Sequence, residues 1–169
     1  MDNDPHQIHN VRTGQRMHFL ESDGALLRIE THNPPTGVAE PEHVHPRQES
    51  RATVSSGTLL FTVDGVQRRV GPGETLTIPA GTPHYFVNDG SDEAVGIQEF
   101  RPALRTEELF RTLFGLAEQG KLDEHGMPSL LTLAALGPKF AEEVRATKPP
   151  WALQRIAFAL LGPLARRAL

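Results

Sequence analysis

Three histidines carry the chemistry that this chain most plainly offers. His43 and His45 stand two apart in Glu42-His43-Val44-His45-Pro46, and His84 sits in Thr82-Pro83-His84-Tyr85. Side chains two apart on a strand point the same way, so His43 and His45 share a face. Imidazoles from two separate hairpins can therefore meet at one point. The chain has no cysteine, which removes disulfides, thiolate nucleophiles and thiolate metal sites. Histidine, carboxylate, hydroxyl and water remain as possible ligands. Taken singly, each histidine also fits a core or surface position with a satisfied ring.

The elements that must hold these side chains read as short strands separated by breakers. Met17 to Leu20 and Ala25 to Thr31 flank the Ser22-Asp23-Gly24 turn, and Asn33 to Gly37 is a Pro-rich loop. Val38 to His45 alternates and stops at Pro46, which suits an edge or a strand end. Arg51 to Ser55 and Thr58 to Val63 flank a Ser-Ser-Gly turn, and Asp64-Gly65 is a type I′ hairpin signal. Gly73 to Asn88 is strand, Pro79-Ala80-Gly81 turn and strand, and Glu93 to Phe100 is the last strand before Pro102. About eight strands with this spacing predict a sandwich or barrel.

After Pro102 the period changes to helical. Thr106 can cap a helix whose first turn carries Glu107 and Glu108 and whose apolar face holds Leu109, Phe110, Leu113, Phe114, Leu116 and Ala117. A loop from Gly120 to Pro128 precedes a short helix, Ser129 to Leu136, and a further one over Pro138 to Ala146 with Pro at its first position. Trp151 to Leu169 forms a last segment interrupted by Gly162-Pro163. Its uncharged run is far shorter than the ~20 residues of a spanning helix, so no membrane span is expected. It suits a cap on the barrel or a dimer contact better than an interfacial helix using Arg166 and Arg167.

Composition narrows the function classes. A chain of 169 residues with 38% hydrophobic and 22% charged residues is an ordinary globular protein. Residues 1–102 hold 8 Lys/Arg against 14 Asp/Glu, a net −6, and residues 103–169 hold 9 against 7, a net +2. No basic surplus marks a nucleic-acid partner. The start, Met1-Asp2-Asn3-Asp4-Pro5-His6, has no basic or apolar leader, so a cytoplasmic location is expected, with residues 1–14 a flexible lead-in.

Gly37-(five residues)-His43-Val44-His45 and Gly73-(five)-Pro79-Ala80-Gly81-(two)-His84-(three)-Asn88 resemble the two motifs of the cupin family. The resemblance covers roughly residues 11–102. It implies a mainly β fold: a cupin-type jelly-roll β-barrel over residues 15–102, followed by a small C-terminal helical segment, 103–169, packed on the barrel or at a dimer contact. It implies a divalent metal ion (Fe, Zn, Ni or Mn) held by His43, His45 and His84, a small-molecule ligand, and a homodimer. It implies no particular reaction, since function lies in the site.

The family's fourth ligand is a glutamate three or four residues after the second histidine, followed by six residues and a glycine. Here the pattern splits. Counted forward from His45, Glu49 is the ligand; counted back from Gly57, Ser50 takes the slot and Glu49 points away. Pro46 turns the chain between them, so parity does not decide. Gln48 lies beside the motif and could touch metal or ligand, or face solvent in a turn. Gln98 and Glu99 alternate on the last strand, so one faces the interior. Glu99 could be a general base or the partner of a histidine, or pair with Arg101 outside the barrel.

Three neutral imidazoles leave a divalent ion its full charge, so such a site favours an anionic or chelating oxygen donor. Within the family this resembles thiol and diketone dioxygenases. The expected function is thus a metal-dependent cupin of small-molecule metabolism, of dioxygenase-like oxidoreductase type. A non-catalytic small-molecule or metal-binding cupin, and a zinc-dependent cyclase or isomerase, are the alternatives.

Overall fold

Short β-branched and aromatic runs cut by Gly, Pro and Asp do form strands, and these strands roll into two antiparallel sheets. The computed structural model describes residues 4–123 and 126–165. In chain order come β1 (Gln7–His9), β2 (Arg16–Ser22), β3 (Leu27–Asn33), β4 (His43–Val44), β5 (Glu49–Ser56), β6 (Leu59–Val63), β7 (Val66–Val70), β8 (Thr75–Ile78), β9 (His84–Val87) and β10 (Ala94–Arg101). Helices α1 (Thr106–Glu118) and α2 (Leu130–Lys139), strand β11 (Arg145–Ala146) and helix α3 (Trp151–Ala165) follow. One sheet runs β1-β2-β3-β10-β5-β8 and the other β11-β4-β9-β6-β7. This is the jelly-roll arrangement, with a helical segment after it.

The strands alternate as a half-buried sheet must. In β3, Leu27, Ile29, Thr31 and Asn33 are buried while the residues between them are not. At Asp64-Gly65 both residues adopt positive φ (49° and 76°), and the type I′ turn joins β6 to β7 in register. Gly57 has φ 70°, and a Cβ there would lie 2.6 Å from the Glu93 carbonyl oxygen. Only glycine fits, so the turn between β5 and β6 is fixed.

Two apolar clusters fill the interior. Val54, Leu59, Phe61, Val70, Leu76, Ile78 and Ala94 close one end of the barrel. Met17, Phe19, Leu27, Ile29 and Phe100 meet Ala103 and Phe114, with Phe110 and Leu113 packed alongside, so α1 seals the other flank through the face its period predicted.

Several expectations need correction. The lead-in contains β1, which pairs with β2 and packs Ile8 against the core, so burial of one isoleucine orders a segment that is otherwise polar. Only His43–Val44 of the 38–45 run joins a ladder, because Pro41 and Pro46 flank it and cannot donate. Thr106 begins α1 but does not cap it: the N-cap is Arg105, without a side-chain cap bond. Pro138 lies inside α2 instead of opening a new helix, and residues 145–146 become a strand. Helix α3 runs through Gly162-Pro163 to Ala165, which is fully buried. Helix α3 packs on α2 where Gly137 leaves room for the Phe158 ring, since a Cβ would stand 2.5 Å from it. Arg166, Arg167 and His125 lie outside the described residues.

Candidate metal centre

The register of the second sheet brings the imidazoles together. His43 of β4 is directly paired with His84 of β9, and His45 follows on the same face as His43. Their ring centroids are 4.5 Å (His43–His84), 5.0 Å (His43–His45) and 5.1 Å (His45–His84) apart. One ring nitrogen from each falls within 4.8 Å of the others, and among the described residues no carboxylate joins this group. The three histidines are therefore positioned to bind a metal.

Hydrogen bonding decides which nitrogen is offered. Nδ1 of His43 lies 2.9 Å from the Pro41 carbonyl oxygen, Nδ1 of His45 2.7 Å from that of Glu143, and Nδ1 of His84 2.8 Å from that of Thr82. A carbonyl only accepts, so each Nδ1 carries the hydrogen and each Nε2 is left with a free lone pair. Such an outer contact fixes ring orientation and raises ligand basicity. Burial, and then the neighbouring His43, push the pKa of His45 down to about 3 and that of His84 down to about 4; burial lowers that of His43 as well. Near pH 7 all three rings are neutral, the form that ligates. The donor set fits a divalent ion.

The site opens into a cavity of about 630 Å³. Ser50, Ile78, Phe86, Gln98 and Phe100 line its barrel side, and the 10–17 and 33–41 segments, the helices and the stretches joining them line the rest. Ser50 is 3% exposed and borders the cavity, whereas Glu49 is exposed and does not. The count back from Gly57 thus describes β5, which runs unbroken from Glu49, and the structure does not bring the Glu49 carboxylate to the imidazoles. Parity likewise puts Gln98 and Phe100 inward and Glu99 outward. The Glu99 carboxylate takes an Arg28 bond of 2.9 Å and an Arg101 bond of 2.8 Å on the outer face, and hydrogen bonding, from Arg101 first, holds it below the usual carboxylate range.

Gln48 is also placed elsewhere. It is fully buried, and its amide nitrogen lies 2.7, 3.0 and 2.8 Å from the Pro102 and Ala103 carbonyl oxygens and the Thr106 hydroxyl. Its Oε1 has no hydrogen-bond partner among the described residues. Gln48 ties the end of β10 to the start of α1. Asn88 closes the turn after β9 by accepting from the Gly90 amide at 3.0 Å, and it also donates to the Asn33 and Asp92 carbonyls.

The one carboxyl among the described residues of the cavity wall was not singled out from the sequence. Glu40 borders the cavity and, although partly in contact with solvent, is surrounded by enough protein that burial pushes its pKa up to about 8, against a lowering hydrogen bond from Phe86. It lies in the loop before β4, where no period reveals which way a side chain turns.

Comparison with known proteins agrees with the geometry. A rolled antiparallel sheet with three convergent histidines at its mouth defines a small jelly-roll protein with a candidate metal centre. Residues 30–97 match the cupin domain model, and the barrel they form has the cupin fold. Over 72 residues it is 35% identical to Oxalate oxidase 1 of Hordeum vulgare (38% of this chain, 36% of that protein). It is 36% identical over 72 residues to Germin-like protein 3-3 of Oryza sativa subsp. japonica (38% and 32%). The chain spans about a third of the length of these curated relatives. KdgF from Halomonas sp. superposes with TM-score 0.51 at 24% identity, over 56% of this chain and 84% of that one. An RmlC-like cupin from Shewanella frigidimarina NCIMB 400 gives 0.54 at 20%, over 63% and 93%. These two show the fold. Among the described residues no helix is long and apolar enough to cross a membrane.

Proposed function

We propose that this protein is a metal-dependent cupin acting on a small organic molecule, an oxidoreductase of dioxygenase type in which His43, His45 and His84 hold one divalent ion, iron, zinc, nickel or manganese. The observation that carries the reading is the set of three Nδ1–H to carbonyl contacts, which leaves three Nε2 lone pairs in one buried group. Such an ion, when bound, supplies Lewis acidity toward an oxygen donor and, if redox-active, a route for electrons. The chain's residues do the rest. The neutral imidazoles leave the ion's charge uncancelled, which favours an anionic donor. Phe86 and Phe100 keep that face dry, and Glu40, protonated near pH 7, is placed to give or take a proton at the cavity wall. Glu99 steadies the outer face in this reading and Gln48 the joint to α1. The partial likeness to an oxalate oxidase supports oxidation chemistry. A homodimer through the exposed Leu153, Ile156, Leu160 and Leu164 of α3 is part of the same reading, checked by sedimentation.

The test is metal analysis after expression with each ion supplied in turn, followed by oxygen uptake with oxygen-donor substrates. The reading expects about one equivalent of metal in the native chain and a near-complete loss in His43→Ala and His84→Ala. Less than about a tenth of an equivalent in the native protein ends it. A second reading, a binding cupin without turnover, is favoured by Ser50 standing where the family has a carboxylate. Metal retention with no oxygen uptake selects it, and zinc retention with ring closure or isomerisation selects the cyclase or isomerase.

A further inference from the structure

The helical segment does more than cover the barrel: it lengthens the cavity. Phe110 and Leu113 of α1, Leu133 and Leu136 of α2, and Ala157 and Phe158 of α3 border the same 630 Å³ space that the histidines border, a volume in the range that holds a drug-sized molecule. These residues are half-buried, packed on one side and facing the space on the other. A site for a two- or three-carbon acid needs only the barrel mouth. This one continues from three imidazoles into an apolar chamber between helices.

Charge among the described residues of the chamber wall is mostly positive. Arg12, Arg145 and Lys148 border it, and Glu40 is the one carboxyl among its described lining residues. Arg51 also borders it, with its side chain on the outer face of β5, in register with Glu99. The Arg145 guanidinium stands 4.4 Å over the Trp151 ring, so cation and apolar wall are contiguous. Among the described lining residues only Glu40 offers a carboxyl to a cationic head, against the three cations.

We propose that the cavity takes an amphiphilic anion, whose oxygen-donor head reaches the three histidines and whose apolar body, several carbons long, lies against α1, α2 and α3. The inference rests on reading the histidines as a metal centre and adds the chemical class of the ligand. The physical basis is the removal of apolar surface from water along the chamber, which increases with each carbon that fits.

The test uses full-length, metal-loaded protein and straight-chain hydroxamates from acetohydroxamate to octanohydroxamate, which bind cations as oxygen-donor anions. Trp151 is the chain's only tryptophan and borders the chamber, so its fluorescence reads the body while calorimetry reads the affinity. Affinity should increase about fourfold per methylene, the value of burying one CH₂. Trp151 emission should change only with the longer members. Octyltrimethylammonium should bind at least about tenfold more weakly than octanohydroxamate. Ala157→Phe, or Leu133→Gln should the former not fold, should flatten the chain-length dependence while acetohydroxamate binds as before.

Affinity independent of chain length, a slope unchanged in both variants, or equal binding of the ammonium overturns the proposal and leaves the metal centre standing. If the protein retains no metal, or metal-loaded and metal-free protein bind acetohydroxamate equally, the metal reading fails first and this inference with it.

Discussion

His45 of the barrel donates its Nδ1 hydrogen to the main-chain carbonyl of Glu143, 2.7 Å away and 98 residues later in the chain. Two residues further on, β11 pairs with β4, the strand that carries His43. The same Glu143 accepts the Arg105 amide at 3.1 Å through its carboxylate. The helical segment is thus wired into the outer contacts of the candidate centre, and its loss would free one imidazole to turn.

Ser50→Glu tests the family's missing carboxylate. Ser50 borders the cavity, so a glutamate there should tighten divalent-metal binding by about tenfold, or about 1.4 kcal/mol, by cancelling charge. Glu49→Ala should leave the metal content unchanged. Metal titration monitored by calorimetry reads both, and the reverse result would place Glu49 at the site.

Gln48→Ala removes the amide that bridges β10 and α1, so the Pro102 carbonyl and the Thr106 hydroxyl lose that donor while the Ala103 carbonyl keeps only the Thr106 amide. The expected loss is about 2 kcal/mol of unfolding free energy, read by urea denaturation. Metal content at low temperature should persist, because Gln48 does not border the cavity.

Glu40 sets a pH dependence. Its pKa is raised from the model-peptide value of 4.5 to about 8 in the fold, so the folded state holds the proton more tightly than the unfolded chain does. The stabilisation is full below pH 4.5 and is lost as pH rises through about 8. Thermal melts of the metal-free protein should therefore show the native chain losing stability relative to Glu40→Gln across that window. Parallel curves would mean that Glu40 ionises in the fold as it does in the unfolded chain.

Glu99→Gln should cost no more than about 1 kcal/mol, since Arg28 and Arg101 are each exposed enough for water to screen the pairs. Metal content and any turnover should match the native protein, because the side chain points away from the histidines. A specific loss of turnover with intact metal would return Glu99 to the chemistry.

What the sequence by itself determined is whatever strand period and turn chemistry fix locally. The His43-Val44-His45 spacing, the Pro79-Ala80-Gly81 turn before His84, the Asp64-Gly65 hairpin and the apolar face of α1 are each properties of a few neighbouring residues, and each is present in the fold. The jelly roll and the histidine cluster were legible for that reason. Tertiary structure alone decided matters that join distant segments or pass through prolines. Pro46 breaks the parity between His45 and Glu49, so only the unbroken course of β5 to Gly57 shows Ser50 turned inward. Glu40 sits in a loop without a period, and only packing around it reveals its desolvation. The Glu143 carbonyl that orients His45, and the helices that extend the cavity, come from a part of the chain whose local pattern says where helices form but not which space they enclose.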